Sequence, residues 1–133
     1  MNNVTVVGNV TREPELRYTS GGQPVCKFGI AVNRRFTTAG GETVDEVDYF
    51  DVTAWRDLAT HVAESVPVGC RVVVAGRLQQ DRWETDGGEK RSKVQITAEE
   101  VSVSLRFATA QVTKTNRSTD ADAPADEREP ANA

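Results

Sequence analysis

Residues 48–55 read DYFDVTAW, and the fold turns on how this stretch divides. Alternate side chains of a strand point to opposite faces. One face then carries Phe50, Val52 and Ala54, an ordinary core stripe. The other carries Tyr49, Asp51, Thr53 and Trp55, two large aromatics beside a carboxylate and a hydroxyl. The whole chain of 133 residues holds only 4 Phe, 2 Tyr and 2 Trp. Placing two of these on a polar face points to a surface that uses its aromatics for something other than filling the interior.

Working outward, residues 1–112 alternate between β-rich runs and turn signals. VTVVGNV (4–10) reads as a first strand, Pro14 breaks the run that follows, and ELRYT (15–19) leads into a tight SGGQP connection. VCKFGIAV (25–32) alternates, with Cys26, Phe28, Ile30 and Val32 inward. A polar loop is expected over TTAGGETVDE (37–46). RDLATHVAESV (56–66) carries Leu58, Ala59, Val62, Ala63 and Val66 as one apolar helical stripe, with Asp57 suited to its start and Pro67 and Gly69 to its end. His61 falls off that stripe and is expected in solvent. RVVVAGRL (71–78) is a β-branched strand, and residues 79–97 read as a long hairpin around Asp86-Gly87-Gly88. EVSVSLRFATAQV (100–112) supplies a further extended segment. The order of three strands, a helix and two more strands fits an all-β fold with one helix, the five-stranded Greek-key barrel of the OB-fold with an extended hairpin. This assigns 1–112 to the domain. Residues 113–133 are polar, Ala/Asp/Pro-rich and without aromatics, the composition of a disordered acidic tail.

Composition narrows the function classes. With 27% charged residues and no apolar run near the roughly 20 residues of a membrane helix, the chain is expected in the cytoplasm and off the membrane. Cys26 and Cys70 are distant and lie among apolar neighbours, and His61 is the single histidine, so no metal site or cofactor is expected. Two reduced thiols are the expectation, with an inter-chain disulfide as the alternative. The net charge of −4 would ordinarily argue against nucleic acid. Its distribution weakens that argument: residues 1–113 hold 13 Lys/Arg and 15 Asp/Glu, and basic groups gather at Arg34-Arg35 and Lys90-Arg91-Ser92-Lys93.

No catalytic set stands out, neither a phosphate-cradling glycine loop nor a nucleophile with a base, and the three Gly-Gly pairs (21–22, 40–41, 87–88) read as turns. The expectation is a non-enzyme. Tyr49 and Trp55 share one face, Trp83 has the strand parity of Arg77, Gln79 and Asp81, and Phe36 follows Arg34-Arg35. Four such aromatics beside arginines suit a stacking surface for unpaired bases, with cations taking phosphate. On the residues alone, packing at a subunit interface and a small-ligand cleft remain open.

VTVVGNVTREPELRYTSGGQPVCKFGIAV (4–32) resembles the opening of bacterial single-stranded DNA-binding proteins, with G-N-[VL]-x-x-x-P-E-[LV]-R matched over Gly8–Arg17. GRLQQDRWETDGGEKR (76–91) resembles their following hairpin, and SLRFATAQVTK (104–114) is similar to the end of the domain in the actinobacterial branch. The resemblance implies an OB-fold homotetramer that wraps and protects single-stranded DNA in replication, recombination and repair, associated with the nucleoid. An RNA- or primosome-directed module is the alternative. It also implies stacking by Phe36, Tyr49, Trp55 and Trp83, with phosphate contacts from Arg34, Arg35, Arg56, Arg77, Arg82 and Arg91. Asp51, Gln79 and Asp81 stand where relatives often carry basic residues, which implies weaker binding than is typical. The sequence closes on EREPANA rather than the hydrophobic Pro-Phe pair of typical members. That makes docking of replication and repair proteins by a C-terminal tip doubtful, and a specialised paralogue is the corresponding expectation.

Overall fold

The computed structural model describes residues 1–115. Six strands and one helix follow in the order β1 (Val4–Val10), β2 (Glu15–Tyr18), β3 (Pro24–Thr37), β4 (Thr43–Trp55), α1 (Arg56–Ser65), β5 (Arg71–Glu84) and β6 (Lys90–Val103). The strands lie in the order β1-β5-β6-β4-β3-β2, and a further β1–β3 pairing closes five of them into a barrel. All pairings are antiparallel except β4–β6, which aligns Val52 with Ile96 and Thr53 with Thr97. This is the expected OB barrel, with ELRY as a short sixth strand along β3. The barrel closes where Gly8 crosses β3. A Cβ there would lie 2.5 Å from the Ala31 carbonyl oxygen, so only glycine permits the approach.

The alternation read from the sequence fills the interior. Cys26, Phe28, Ile30, Val52, Ala54, Val72, Val74 and Ile96 are fully buried, and α1 adds Ala59 and Val62 with Val66 just beyond it. Each fully buried aliphatic or aromatic side chain of this set contributes on the order of 1.5–3 kcal/mol. Phe50 is only half-buried at the barrel rim. Thr53 departs from expectation: on the face read as wet it is 4% exposed, and its hydroxyl donates to Gln95 Oε1 at 2.6 Å.

Three connections use one device. Thr19, Thr38 and Thr85 each begin a T-x-G-G sequence. In each, the threonine carbonyl accepts from the second glycine's N–H, its hydroxyl accepts from the next residue's N–H, and its own N–H donates to that residue's carbonyl. The second glycine has φ of 88°, 86° or 83°, a left-handed conformation that costs glycine little. All three Gly-Gly pairs are therefore turns, as expected.

The polar loop expected over 37–46 is confined to residues 38–42, and the other half of that stretch is strand. β3 runs to Thr37 and β4 restarts at Thr43, in unbroken register from Val25↔Trp55 to Thr37↔Thr43. Arg34 opposes Glu46 and Arg35 opposes Asp45, so cross-strand ion pairs replace apolar burial there. At the other end, strand pairing stops at Val103, short of the extended segment read over 100–112. The tail expected over 113–133 lies outside the described residues from 116 onward. Helix α1 spans one residue less than read, with Asp57 in its first turn. His61 is exposed as expected, and both cysteines are free thiols, that of Cys26 pushed up by burial.

Candidate nucleic-acid interface

Two hairpins project from the barrel, β3–β4 and β5–β6, and the barrel's outer wall lies between them. On β4 the outward residues are Tyr49, Asp51, Thr53 and Trp55, facing Ala31, Gly29, Lys27 and Val25 of β3. On β5 the outward set is Arg77, Gln79, Asp81 and Trp83, facing Thr97, Gln95, Lys93 and Arg91 of β6. β6 pairs with both β4 and β5, so these residues form one surface.

Tyr49 is 72% exposed, Trp55 41% and Trp83 48%, a large aromatic area left open to water. Trp55 walls a cleft of about 260 Å³ with Lys27, Thr53, Gln79, Gln95 and Thr97 on its floor and sides. Trp83 borders another of about 350 Å³ with Arg82, Lys90 and Arg91. Phe36 stands apart. It has the parity of Ile30 and Phe28, so it lies on the continuation of the barrel's inner face, with the Arg34 guanidinium 5.4 Å from its ring centre. The structure thus groups Tyr49, Trp55 and Trp83 and sets Phe36 on a different face of the β3–β4 hairpin.

The arginines named from the sequence differ in how they are held. Arg34 donates to Asp48 at 2.9 Å and to Glu46 at 3.2 Å, and Arg35 donates to Asp45 at 2.8 Å. These hydrogen bonds hold the Asp48 and Asp45 carboxyls below their usual range and raise both guanidinium groups. Arg91 pairs with Glu89 at 2.8 Å and Arg77 with Glu99 at 3.5 Å. Arg82 instead donates to the neutral Gln80 amide and forms no ion pair among the described residues. Arg56 is exposed, and its backbone is left-handed at φ 61°, the one positive φ of a non-glycine residue among the described residues. That conformation costs on the order of 1 kcal/mol or more.

Asp51 is better compensated than the sequence suggests. Lys93 and Arg12 both pair with it, Arg12 at 3.1 Å, and the Lys93 contact followed by that of Arg12 holds its carboxyl below the usual range. One carboxylate among two cations leaves the spot net positive, so the repulsion expected from Asp51 does not follow from its surroundings. Asp81 is different, bonded to the neutral amides of Gln79 and Gln95. The candidate contacts named from the sequence leave out Arg12, Lys27, Lys93 and Gln95, although Lys93 belongs to the basic group noted there. Lys27 was legible as an outward residue on β3, whereas Arg12 and Lys93 reach the surface only through pairings that join distant segments. Among the described residues, no group of three or more His, Cys, Asp or Glu is placed to hold a metal, and no helix is long and apolar enough to cross a membrane.

Comparison with known proteins accords with this geometry. The family model of the single-strand binding protein family matches residues 1–104. A single-stranded DNA-binding protein of Mycolicibacterium smegmatis is 46% identical over 117 residues, covering 86% of this chain and 71% of its own. That of Paenarthrobacter aurescens is 42% identical over 116 residues, covering 86% and 68%. Among solved structures, a Plasmodium falciparum SSB complex with ssDNA superposes with a TM-score of 0.72 at 20% identity, over 77% of this chain and 94% of that one, and shares the fold. With a closed five-stranded barrel, a family match across nearly all of the described residues and relatives this similar, the chain belongs to the single-strand binding protein family.

Proposed function

We propose that the protein binds single-stranded DNA with little regard to sequence and protects strands exposed during replication, recombination and repair. Bases stack on Tyr49, Trp55 and Trp83, each stacked base contributing on the order of 1–3 kcal/mol. Phe36 adds a platform on the β3–β4 hairpin. Arg82, Arg56 and Lys27 take phosphates directly, while Arg34, Arg35, Arg77 and Arg91 must first loosen their carboxylate partners. The protein works in the cytoplasm as a homotetramer, holds no cofactor and catalyses no reaction.

The observation that carries this reading is the exposure of three large aromatics on one outer surface of an OB barrel, interleaved with cations. The test is a titration of tryptophan fluorescence with oligo-dT and with oligo-rU. The reading predicts strong quenching by oligo-dT that weakens as salt rises. No quenching by either strand would refute it, and stronger binding of oligo-rU would favour an RNA-directed module.

A further inference from the structure

A small polar cleft of about 120 Å³ opens on the outer surface, with Arg12, Lys27 and Lys93 set against Asp51 and Asp81 in its lining. Asp51 is the outward residue next after Tyr49 on β4, and Asp81 the one next before Trp83 on β5, so the cleft lies between the stacking platforms. None of its cations comes from those two strands: Arg12 follows β1, Lys27 is on β3 and Lys93 on β6. Gly29 seats Arg12. It opposes Asp51 across β3–β4, and a Cβ there would lie 2.5 Å from Arg12 Nη1, so the missing side chain leaves room for the guanidinium. The Thr11 N–H donates to the Gly29 carbonyl at 2.9 Å, which fixes the segment carrying Arg12.

Asp51 divides its oxygens between two cations. Arg12 Nη2 donates to Oδ1 at 3.1 Å, and Lys93 Nζ pairs with Oδ2. Asp81 stays out of this arrangement, accepting from the Gln79 and Gln95 amides and forming no ion pair among the described residues. A phosphodiester offers Arg12 and Lys93 the same pattern as Asp51, one negative charge spread over two oxygens. A guanidinium has five N–H donors and an ammonium three, and each spends one here on Asp51. Both cations are also more open to water than the carboxylate they share, 54% exposed against 29%. A phosphate arriving from solvent therefore meets the donors before it meets Asp51.

We propose that this cleft is a subsite for one backbone phosphate of a single strand, taken by Arg12 and Lys93 with Lys27 beside them, and that Asp51 occupies both donors in the free protein as an internal competitor. The proposal rests on the single-strand binding argued above and adds to it a phosphate position and a device that weakens it. Asp51 does not repel the strand at a distance, because its surroundings are net positive. It takes the donors that the phosphate needs, and binding exchanges one anion for another on the same pair of cations.

The experiment titrates labelled oligo-dT with the full chain across a range of salt. At about 0.15 M salt, Asp51→Asn releases both cations and is expected to tighten binding by about 3- to 10-fold. Asp81→Asn removes one charge from the same cleft without releasing either cation, and is expected to tighten it by less than about twofold once salt screens that charge. Adding Arg12→Gln and Lys93→Gln to Asp51→Asn should abolish the gain and lower the slope of log affinity against log salt by about 0.7, the value for one phosphate. An unchanged slope in that triple variant overturns the phosphate subsite. No gain in Asp51→Asn, or an equal gain in Asp81→Asn, overturns the competitor. If the unaltered protein does not bind oligo-dT, the underlying single-strand reading fails instead.

Discussion

The two hairpins that leave the barrel are built alike and charged differently. Both are long antiparallel ladders tipped by the same T-x-G-G turn, and both carry an exposed aromatic next to arginines. On β3–β4 the register places Arg34 against Glu46 and Arg35 against Asp45, so both cations are occupied within the ladder. On β5–β6 it places Arg82 against Ser92, and among the described residues Arg82 hydrogen-bonds the Gln80 amide and forms no ion pair. The lesson is that where the carboxylates fall, across the ladder from Arg34 and Arg35 and beside Arg77 and Arg91, and not the number of arginines, decides which guanidinium groups are available to phosphate. Such exposed pairs contribute little to stability, but each must be released before its arginine can serve DNA.

The hairpins also begin differently. β3–β4 leaves the barrel in continuous register, whereas β5–β6 starts at an irregularity where Ala75 pairs Glu100, Gly76 pairs Ala98, and Glu99 is left between. A Cβ on Gly76 would sit 2.1 Å from the Thr97 carbonyl oxygen, a backbone atom that cannot yield. Gly76→Ala is therefore expected to destabilise by about 3 kcal/mol or more, beyond ordinary overpacking, as read by urea unfolding. Gly29→Ala on β3 meets the ends of the Arg12 and Thr11 side chains, of which the guanidinium can move, and is expected to cost well under half of that. Equal costs would break the structural half of the comparison.

The next largest effect concerns stacking. Trp83→Ala should weaken binding of a labelled oligo-dT by about 5- to 150-fold, the equivalent of one stacked base. Phe36→Ala, whose ring lies under the Arg34 guanidinium on a different face, should cost less than about fivefold. A larger loss at Phe36 would show that the β3–β4 hairpin is the main platform.

Arg56 sharpens the point about availability. Arg56→Gly relieves the positive φ and is expected to stabilise the fold by about 1 kcal/mol, while the slope of log affinity against log salt falls by about 0.7 for one lost phosphate contact. A gain in stability with an unchanged slope would remove Arg56 from the interface.

The smallest effect is at Asp51. Its carboxyl is held below the usual range by Lys93 and then Arg12. The stabilisation is therefore complete above the ordinary Asp range and is lost as pH falls through the lower folded value. Asp51→Asn should flatten that acid limb by less than about 1 kcal/mol, given its partial exposure.

Much of this was legible in the sequence. The alternation in DYFDVTAW separates Val52 and Ala54 from Tyr49 and Trp55, and the Gly-Gly pairs mark three turns. The outer parts of β3 and β4 were not legible as strand, because ion pairs rather than apolar alternation hold them. Nor was the face of Phe36, which requires knowing that the register runs unbroken to Thr37. The burial of Thr53 and the Lys93 pairing of Asp51 depend on Gln95 and Lys93 of β6, which reach β4 through the parallel β4–β6 pairing. Single-strand parity cannot see a partner some forty residues away.

The most direct test of the account compares the salt dependence of oligo-dT binding in two double variants. Arg82→Gln/Lys90→Gln removes Arg82, which forms no ion pair among the described residues, together with Lys90 at the same cleft, and Arg34→Gln/Arg35→Gln removes the paired cations of β3–β4. The account predicts that the slope falls by about 1.4 in the first, for two lost contacts, and by less than about 0.7 in the second. A steeper loss in the β3–β4 variant, or no salt dependence in the unaltered protein, would contradict it.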